Sequence, residues 1–420
     1  MKIVRIFLCA AVLGATFFVD APVRAQSDAL WAAEEPDQAA AAPISYDPLN
    51  QPRLLEDMLE RYREIARRGG WKKVPTDLVM GPGYSYDCMR IAALERRLVA
   101  EGYLEHQSAP PPPPPLPPGQ RPVPPGKQPP PRPQVMGMAG PCRYGPELTA
   151  AVRAYQHDRK VLGFGQVGKL TMAQLNRPVG EIINVLEHDI ARWRSVSLDR
   201  SGSFILVNIP YFELGVFEND REVLRMPVVV GQPTWQTPQF SDELEYIILN
   251  PDWGIPEKIA KQEYWPSGRR NPEWLRRQGI VASGESLRQK PGPNNPLGRI
   301  KFVMPNEYDV YLHDTPAKGA FNAAVRALSH GCVRLGRPMD LAHYLLGDQP
   351  QWNPRRLDAA IGTGETQHIN LTHHMPVHII YSTSRVNEQG RLELRPDVYG
   401  KNAAAERARP PSDESLEAWP

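Results

Sequence analysis

Cysteine is scarce: four residues in 420, at positions 9, 88, 142 and 332. That excludes a disulfide-dense scaffold, and with no closely spaced cysteine pair it argues against a structural zinc site. Net charge is nearly absent too, with 49 Lys and Arg against 47 Asp and Glu, a formal +2. Nucleic-acid binders carry a basic patch or stripe, so no nucleic-acid partner is expected. Beyond residue 25 no run is long and apolar enough to span a bilayer, which predicts no transmembrane segment in a mature chain.

The first 25 residues have their own character. Lys2 and Arg5 precede an apolar run from Ile6 to Val19, and Val23-Arg24-Ala25 has the form of a cleavage site. The run is shorter than the roughly 20 residues a membrane anchor needs, so a secretory signal peptide is predicted over 1–25. Export to the periplasm follows as an expectation, and Cys9 leaves with the signal. Of the three cysteines left, Cys88 and Cys142 bracket the most unusual stretch of the chain, residues 110–133, in which 15 of 24 residues are proline. A disulfide between them would staple the chain across that insert; the alternative is two buried thiols. Cys332 is then the odd one out, and an unpaired thiol in an exported protein needs an explanation.

Residues 26–46 form a flexible leader by composition, and 47–83 a helical scaffold in which Leu54, Leu55, Met58, Leu59, Tyr62 and Ile65 share one helical face up to Gly69-Gly70. Residues 84–178 hold three short helical patterns, with a proline-rich insert at 109–134. Another amphipathic helix, with Ile182, Val185, Leu186, Ile190 and Trp193, occupies 179–202. From 203 to 347 the runs "SFILVNIP", "VLRMPVVVG", "LEYIILNPDW" and "YDVYLHD" read as strands, with a polar insertion at about 256–296 over one end of the sheet. A helix follows from Pro338 to Leu346. Residues 348–400 end in a hairpin turning at Asn387 to Gly390, and 401–420 form a tail. The fold class is multidomain α+β, with a mostly β, sandwich-like domain beside helical units.

Cys332 lies in "ALSHGCVRLG". As a metal ligand it has only His330 nearby, and His368, His373, His374 and His378 have no accompanying cysteine or acidic cluster, so no metal or cofactor is expected. As a nucleophile it needs a base. His330 is two residues before it, while His313 ends a strand in which Asp309, Tyr311 and His313 share a face. The turn from Thr315 to Leu328 is long enough to bring Cys332 beside His313, which would then raise the thiolate fraction. The amides of Cys332 and Gly331 are candidate oxyanion donors. A buried, inert thiol is the alternative.

Two resemblances bear on these choices. "AAVRAYQ" and "GKLTMAQLN", following the Ile91 to Leu104 helix with its Gly-Tyr-Leu end, resemble the peptidoglycan-binding-like domain, although the Asp-Gly usual before its last helix is Phe164-Gly165 here. "YLHDTPAKGAFNAAVRALSHGCVRL" resembles the signature of the L,D-transpeptidases with a YkuD-type catalytic domain, and "NPDWGIPEKIA" and "KPGPNNPLGRIKFVMPN" resemble their larger YcbB-like branch. The resemblance implies Cys332 as nucleophile and His313 as base. Asp314 stands where the group orienting that histidine is found, a polar side chain or a backbone oxygen. Ser329, His330, Gly331 and Arg334 complete the pocket, with Arg334 either pairing with a substrate carboxylate or serving a structural ion pair. The implied reaction takes peptidoglycan stem peptides as partners. Attack at the position-three carbonyl of a tetrapeptide releases D-Ala, and a side-chain amine of a second stem closes a 3→3 cross-link. Water as acceptor would make an L,D-carboxypeptidase. A protein amine, from a cell-wall synthesis or outer-membrane protein, would make a tethering enzyme. A wall-binding scaffold without catalysis is the reading from another class.

Overall fold

The computed structural model describes residues 48–105, 142–199 and 202–403, except Leu49 and Thr76. The expected signal peptide, leader, proline-rich insert and most of the tail lie outside the described residues. No helix among those described is long and apolar enough to cross a membrane.

The scaffold helix α1 (Gln51–Arg67) forms where the apolar spacing places it. It stops at Gly69 and Gly70, both at positive φ, whose amides bond the carbonyls of Ala66 and Ile65. The small module follows: β1 (Ser85–Tyr86), α2 (Cys88–Ala100), β2 (Cys142–Arg143), α3 (Pro146–Asp158) and α4 (Lys169–Leu175). Asp87 caps α2 by accepting the Met89 amide at 2.7 Å. β1 and β2 pair antiparallel, and a Cys88–Cys142 disulfide joins residues 54 apart in sequence. Leu94, Leu98, Val152, Tyr155 and Leu175 fill the module's own core.

Helix α5 (Val179–Arg194) packs on α1. Together they bury Leu55, Tyr62, Leu186 and Trp193 against the outward side chains Phe204, Leu206 and Phe217 of the β domain. That domain is one nine-stranded sheet. Its strands are β3 (Ser203–Asn208), β4 (Glu213–Glu218), β5 (Arg221–Gly231), β6 (Phe240–Leu249), β10 (Ile300–Val303), β11 (Leu312–His313), β12 (Ala327–Ser329), β13 (Val333–Leu335) and β14 (Gln367–Ile380). The spatial order is β12-β5-β13-β11-β10-β6-β14-β3-β4, and β4 pairs β5 again, so every strand but β12 lies in one closed circuit. The sandwich-like core is thus enclosed by a sheet whose ends meet. Ile205, Val207, Val228, Val230, Leu249, Phe302, Leu312, Val333 and Val377 fill it. Helix α6 (Pro338–Leu345) adds Leu341 and Ala342, and α7 (Pro354–Gly362), which the sequence does not announce, adds Leu357 and Ile361.

The polar insertion is a folded unit. β7 (Trp253–Ile255), β8 (Ile280–Ser283) and β9 (Ser286–Gln289) make a small antiparallel sheet in the order β7-β9-β8. Short helical turns between β7 and β8 complete a cluster of Ile255, Ile259, Leu275, Ile280 and Leu287, ringed by Trp235, Trp253, Tyr264, Trp265 and Trp274. At the C-terminus β15 (Ser384–Val386) and β16 (Leu392–Leu394) form the hairpin, turning at the expected residues. The "VHII" before it, Val377–Ile380, pairs with β3 inside the main sheet instead.

Candidate active site

Three neighbouring strands carry the site. β10 and β11 pair antiparallel with Lys301 opposite His313, and β11 and β13 run parallel with His313 opposite Arg334. The Val333 amide bonds the Tyr311 carbonyl, which sets Cys332 beside Tyr311. Because side chains alternate across a strand, Ile300, Phe302, Leu312, Val333 and Leu335 enter the core. The residues between them, Lys301, Tyr311, His313, Cys332 and Arg334, share the other face. The alternation in "YDVYLHD" therefore selects the right side chains with one exception. Asp309 has φ +52 and lies before β11, and what reaches Cys332 from it is its backbone carbonyl, 3.8 Å from Sγ.

His313 is buried, and its Nδ1 is 2.5 Å from the backbone carbonyl of Asp314. A carbonyl only accepts, so Nδ1 carries the proton and Nε2 keeps a free lone pair. The orienting group at position 314 is thus the main chain. The Asp314 carboxylate turns away, accepting the Arg299 amide at 2.9 Å and the Lys318 ammonium at 2.6 Å.

Burial, reinforced by the neighbouring Arg334 guanidinium, pushes His313 down to about 3. Burial also raises the Cys332 thiol, partly offset by the Tyr311 amide and hydroxyl and by Lys301. Both shifts run against the expectation that His313 raises the thiolate fraction, because burial disfavours charge on the imidazole and on the sulfur alike. Cys332 is the free cysteine among the described residues and keeps part of its surface open.

The loop before Cys332 is tightly braced. Ser329 Oγ donates to the Cys332 carbonyl at 2.6 Å and accepts the Gly331 amide at 3.2 Å. The Gly331 amide is thereby engaged, which reduces the two expected oxyanion donors to the amide of Cys332 itself. Gly331 sits at φ +116, a backbone state that L side chains rarely adopt. Its carbonyl accepts from Thr237 Oγ1 at 2.6 Å. Thr237 in turn accepts the Gly231 amide at 2.9 Å, and its own amide reaches the Tyr399 hydroxyl at 3.2 Å.

His330 points away from Cys332's proton. Its Nε2 lies 2.6 Å from Glu263 Oε1 of the insertion, and its ring meets Trp235 edge-on with centroids 5.0 Å apart. The Lys258 ammonium covers that same indole at 3.8 Å. Arg334 makes no ion pair among the described residues, and its Nε is buried without a partner, which removes the structural ion-pair reading. The four later histidines take scattered partners, for example Ser241 for His378 and Glu243 for His374.

Sequence reasoning passed over Lys301, Thr237 and Glu263, and placed Tyr311 on the right face without giving it a role. Lys301 alternates with Ile300 and Phe302 in "IKFV", but only the pairing of that strand with β11 marks it as part of the site. Glu263 and Thr237 come from segments with no periodic pattern to place them.

Comparison with known proteins gives a match to the YkuD family, the L,D-transpeptidase catalytic domain, over residues 202–379. A Haemophilus influenzae protein named "Putative L,D-transpeptidase" is 31% identical over 217 residues, 47% of this chain and 44% of that protein. The chain thus spans less than half the length of that relative. Among solved structures, an L,D-transpeptidase from Mycobacterium smegmatis is 12% identical with a TM-score of 0.24, covering 42% of this chain and 58% of the other. One from Stackebrandtia nassauensis is 14% identical with a TM-score of 0.21, covering 56% and 77%. Residues 202–379, the span that matches the YkuD family model of the L,D-transpeptidase catalytic domain, hold every residue of the face around Cys332.

Proposed function

We propose that the chain is a peptidoglycan L,D-transpeptidase of the YcbB-like branch, with Cys332 as nucleophile and His313 as base. The observation that carries this is the pairing of an accessible thiol with an imidazole whose Nδ1 is committed to the Asp314 carbonyl, on one face of adjacent strands. Cys332 Sγ attacks the position-three carbonyl of a tetrapeptide stem as its proton passes to His313 Nε2. The oxyanion is met by the Cys332 amide. Collapse breaks the bond to D-Ala, whose amine takes the proton back from His313. The resulting thioester is attacked by the side-chain amine of a second stem, His313 taking that amine's proton, and the thiol is regenerated with a 3→3 cross-link.

The unpartnered Arg334 suits a stem carboxylate. The insertion, tied to the catalytic loop through Glu263 and His330, caps the site and holds the peptides. Residues 84–178 are the peptidoglycan-binding-like module, and the protein works in the periplasm after removal of residues 1–25.

Incubation with purified tetrapeptide muropeptides tests the reading. Wild-type protein is expected to release D-Ala and form 3→3 dimers, and Cys332→Ala to do neither. Undiminished D-Ala release by that variant would refute the assignment. Tripeptide without dimer would make the enzyme an L,D-carboxypeptidase. A carbapenem is expected to add its mass to Cys332.

A further inference from the structure

With burial disfavouring charge on His313, the imidazole supplies little of the counter-charge that a cysteine–histidine pair usually provides. When Cys332 passes its proton to Nε2, the electron pair stays on sulfur until the carbon–sulfur bond forms. The imidazolium created at that moment lies beside the Arg334 guanidinium, which opposes it. A cation elsewhere must make the separated charges tolerable in this poorly solvated place.

The charged and titratable groups around Sγ come from every strand packed there. Arg334 follows on β13, His313 and Tyr311 stand on and just before β11, Asp309 precedes them, and Lys301 is on β10. The Tyr311 hydroxyl is shared between Cys332 and the indole of Trp253. Arg334 and Lys301 both oppose charge on His313, Arg334 the more strongly, and Arg334 also interacts with sulfur. Asp309 carries the wrong sign. Lys301 has the right sign and the right place: its ammonium sits 3.7 Å from the Tyr311 ring centroid, half-buried, opposite His313. No carboxylate forms a salt bridge with it among the described residues; burial lowers the pKa of its ammonium, and the largest influence opposing that is Cys332, ahead of Asp309.

We propose that Lys301 is the fixed counter-charge of the Cys332 thiolate, steered over the Tyr311 ring toward sulfur, while His313 only carries the proton. Lys301 stays protonated throughout, and no bond to it forms or breaks. It is a positioning and charge-stabilising residue for the nucleophile. The proposal rests on Cys332 being that nucleophile, but its test needs no stem peptide.

The test is the pH dependence of Cys332 alkylation by iodoacetamide, followed by peptide mass in the whole chain. Lys301→Met is expected to move the alkylation midpoint up by a unit or more, so that the rate below the midpoint falls about tenfold. Lys301→Arg, which keeps the charge, is expected to retain most of the wild-type profile. Lys301→Gln serves as a second neutral variant should the Met form fail to fold, with near-UV circular dichroism as the control. A neutral variant that is folded and superimposes on wild type would overturn the proposal, as would a shift seen only in Arg334→Met. Carbapenem acylation of the wild-type protein reads the nucleophile assignment separately, so each idea fails on its own measurement.

Discussion

Gly331 shows how one residue sets the line of attack. A Cβ there would meet nothing closer than 3.7 Å, so space is not the constraint; φ +116 is. Gly331→Ala is expected to cost about 1–3 kcal/mol in backbone strain, relieved by shifting the Cys332 amide. Carbapenem acylation should slow while the melting temperature of the distant small module stays put. His313 makes a second prediction at this scale. Its folded-state pKa, about 3, lies below that of an exposed histidine, so on acidification the unfolded chain takes up the proton first. The stability this provides is complete above about pH 6.5 and is lost as pH falls toward 3. His378, lowered by burial, adds in the same direction. Urea midpoints should therefore fall across that window, and His313→Asn should flatten the fall. Much of this was legible in the sequence, since "YDVYLHD" alternates and strand alternation marks a face. Lys301 was not, because one lysine among Ile300, Phe302 and Val303 reads as an ordinary solvent-side residue until its strand partner is known.

Elements differ in how openly they announce themselves. Helices α1 and α5 are visible in their apolar spacing because each buries one stripe, and α2 of the module ends just before Gly102. The insertion was illegible beyond its polarity. Its apolar residues lie too far apart for a helical or strand period and cluster only once β7, β8 and β9 pair. The disulfide between α2 and β2 carries a prediction of its own. Cys88 and Cys142 close a loop of 54 residues, and in the chain-entropy model such a closure contributes about 4 kcal/mol. The double variant Cys88→Ser, Cys142→Ser should lose stability of that order in the module's unfolding transition. The carbapenem reactivity of Cys332 should survive, since no residue of the site touches the bridge.

At the scale of the molecule, the module is fastened to the β domain by buried charge. Glu101 accepts Arg97 and Arg159 at 2.6 Å each and also the Tyr62 hydroxyl of α1. Arg159 continues to the Leu392 carbonyl of the hairpin, and Arg391 of the hairpin returns to Asp158 at 2.8 Å. Burial pushes the Glu101 carboxyl up, but Arg159 and Arg97 together outweigh it and the net shift is downward. Breaking a buried pair by removing one partner costs about 3–5 kcal/mol, so Glu101→Ala is expected to split thermal unfolding into separate module and domain transitions in calorimetry. None of this was readable in advance. The order of parts along the chain shows in composition, whereas a carboxylate meeting an arginine 58 residues later and the parallel pairing of β14 with β3 depend on three-dimensional return. The bridge between Cys88 and Cys142 also changes what a broken chain would mean. A protease cutting anywhere between those residues would leave two pieces joined by sulfur, migrating as one species until a reductant is added. The N-terminal piece would also stay held through α1, which packs on α5 of the piece that carries the catalytic half.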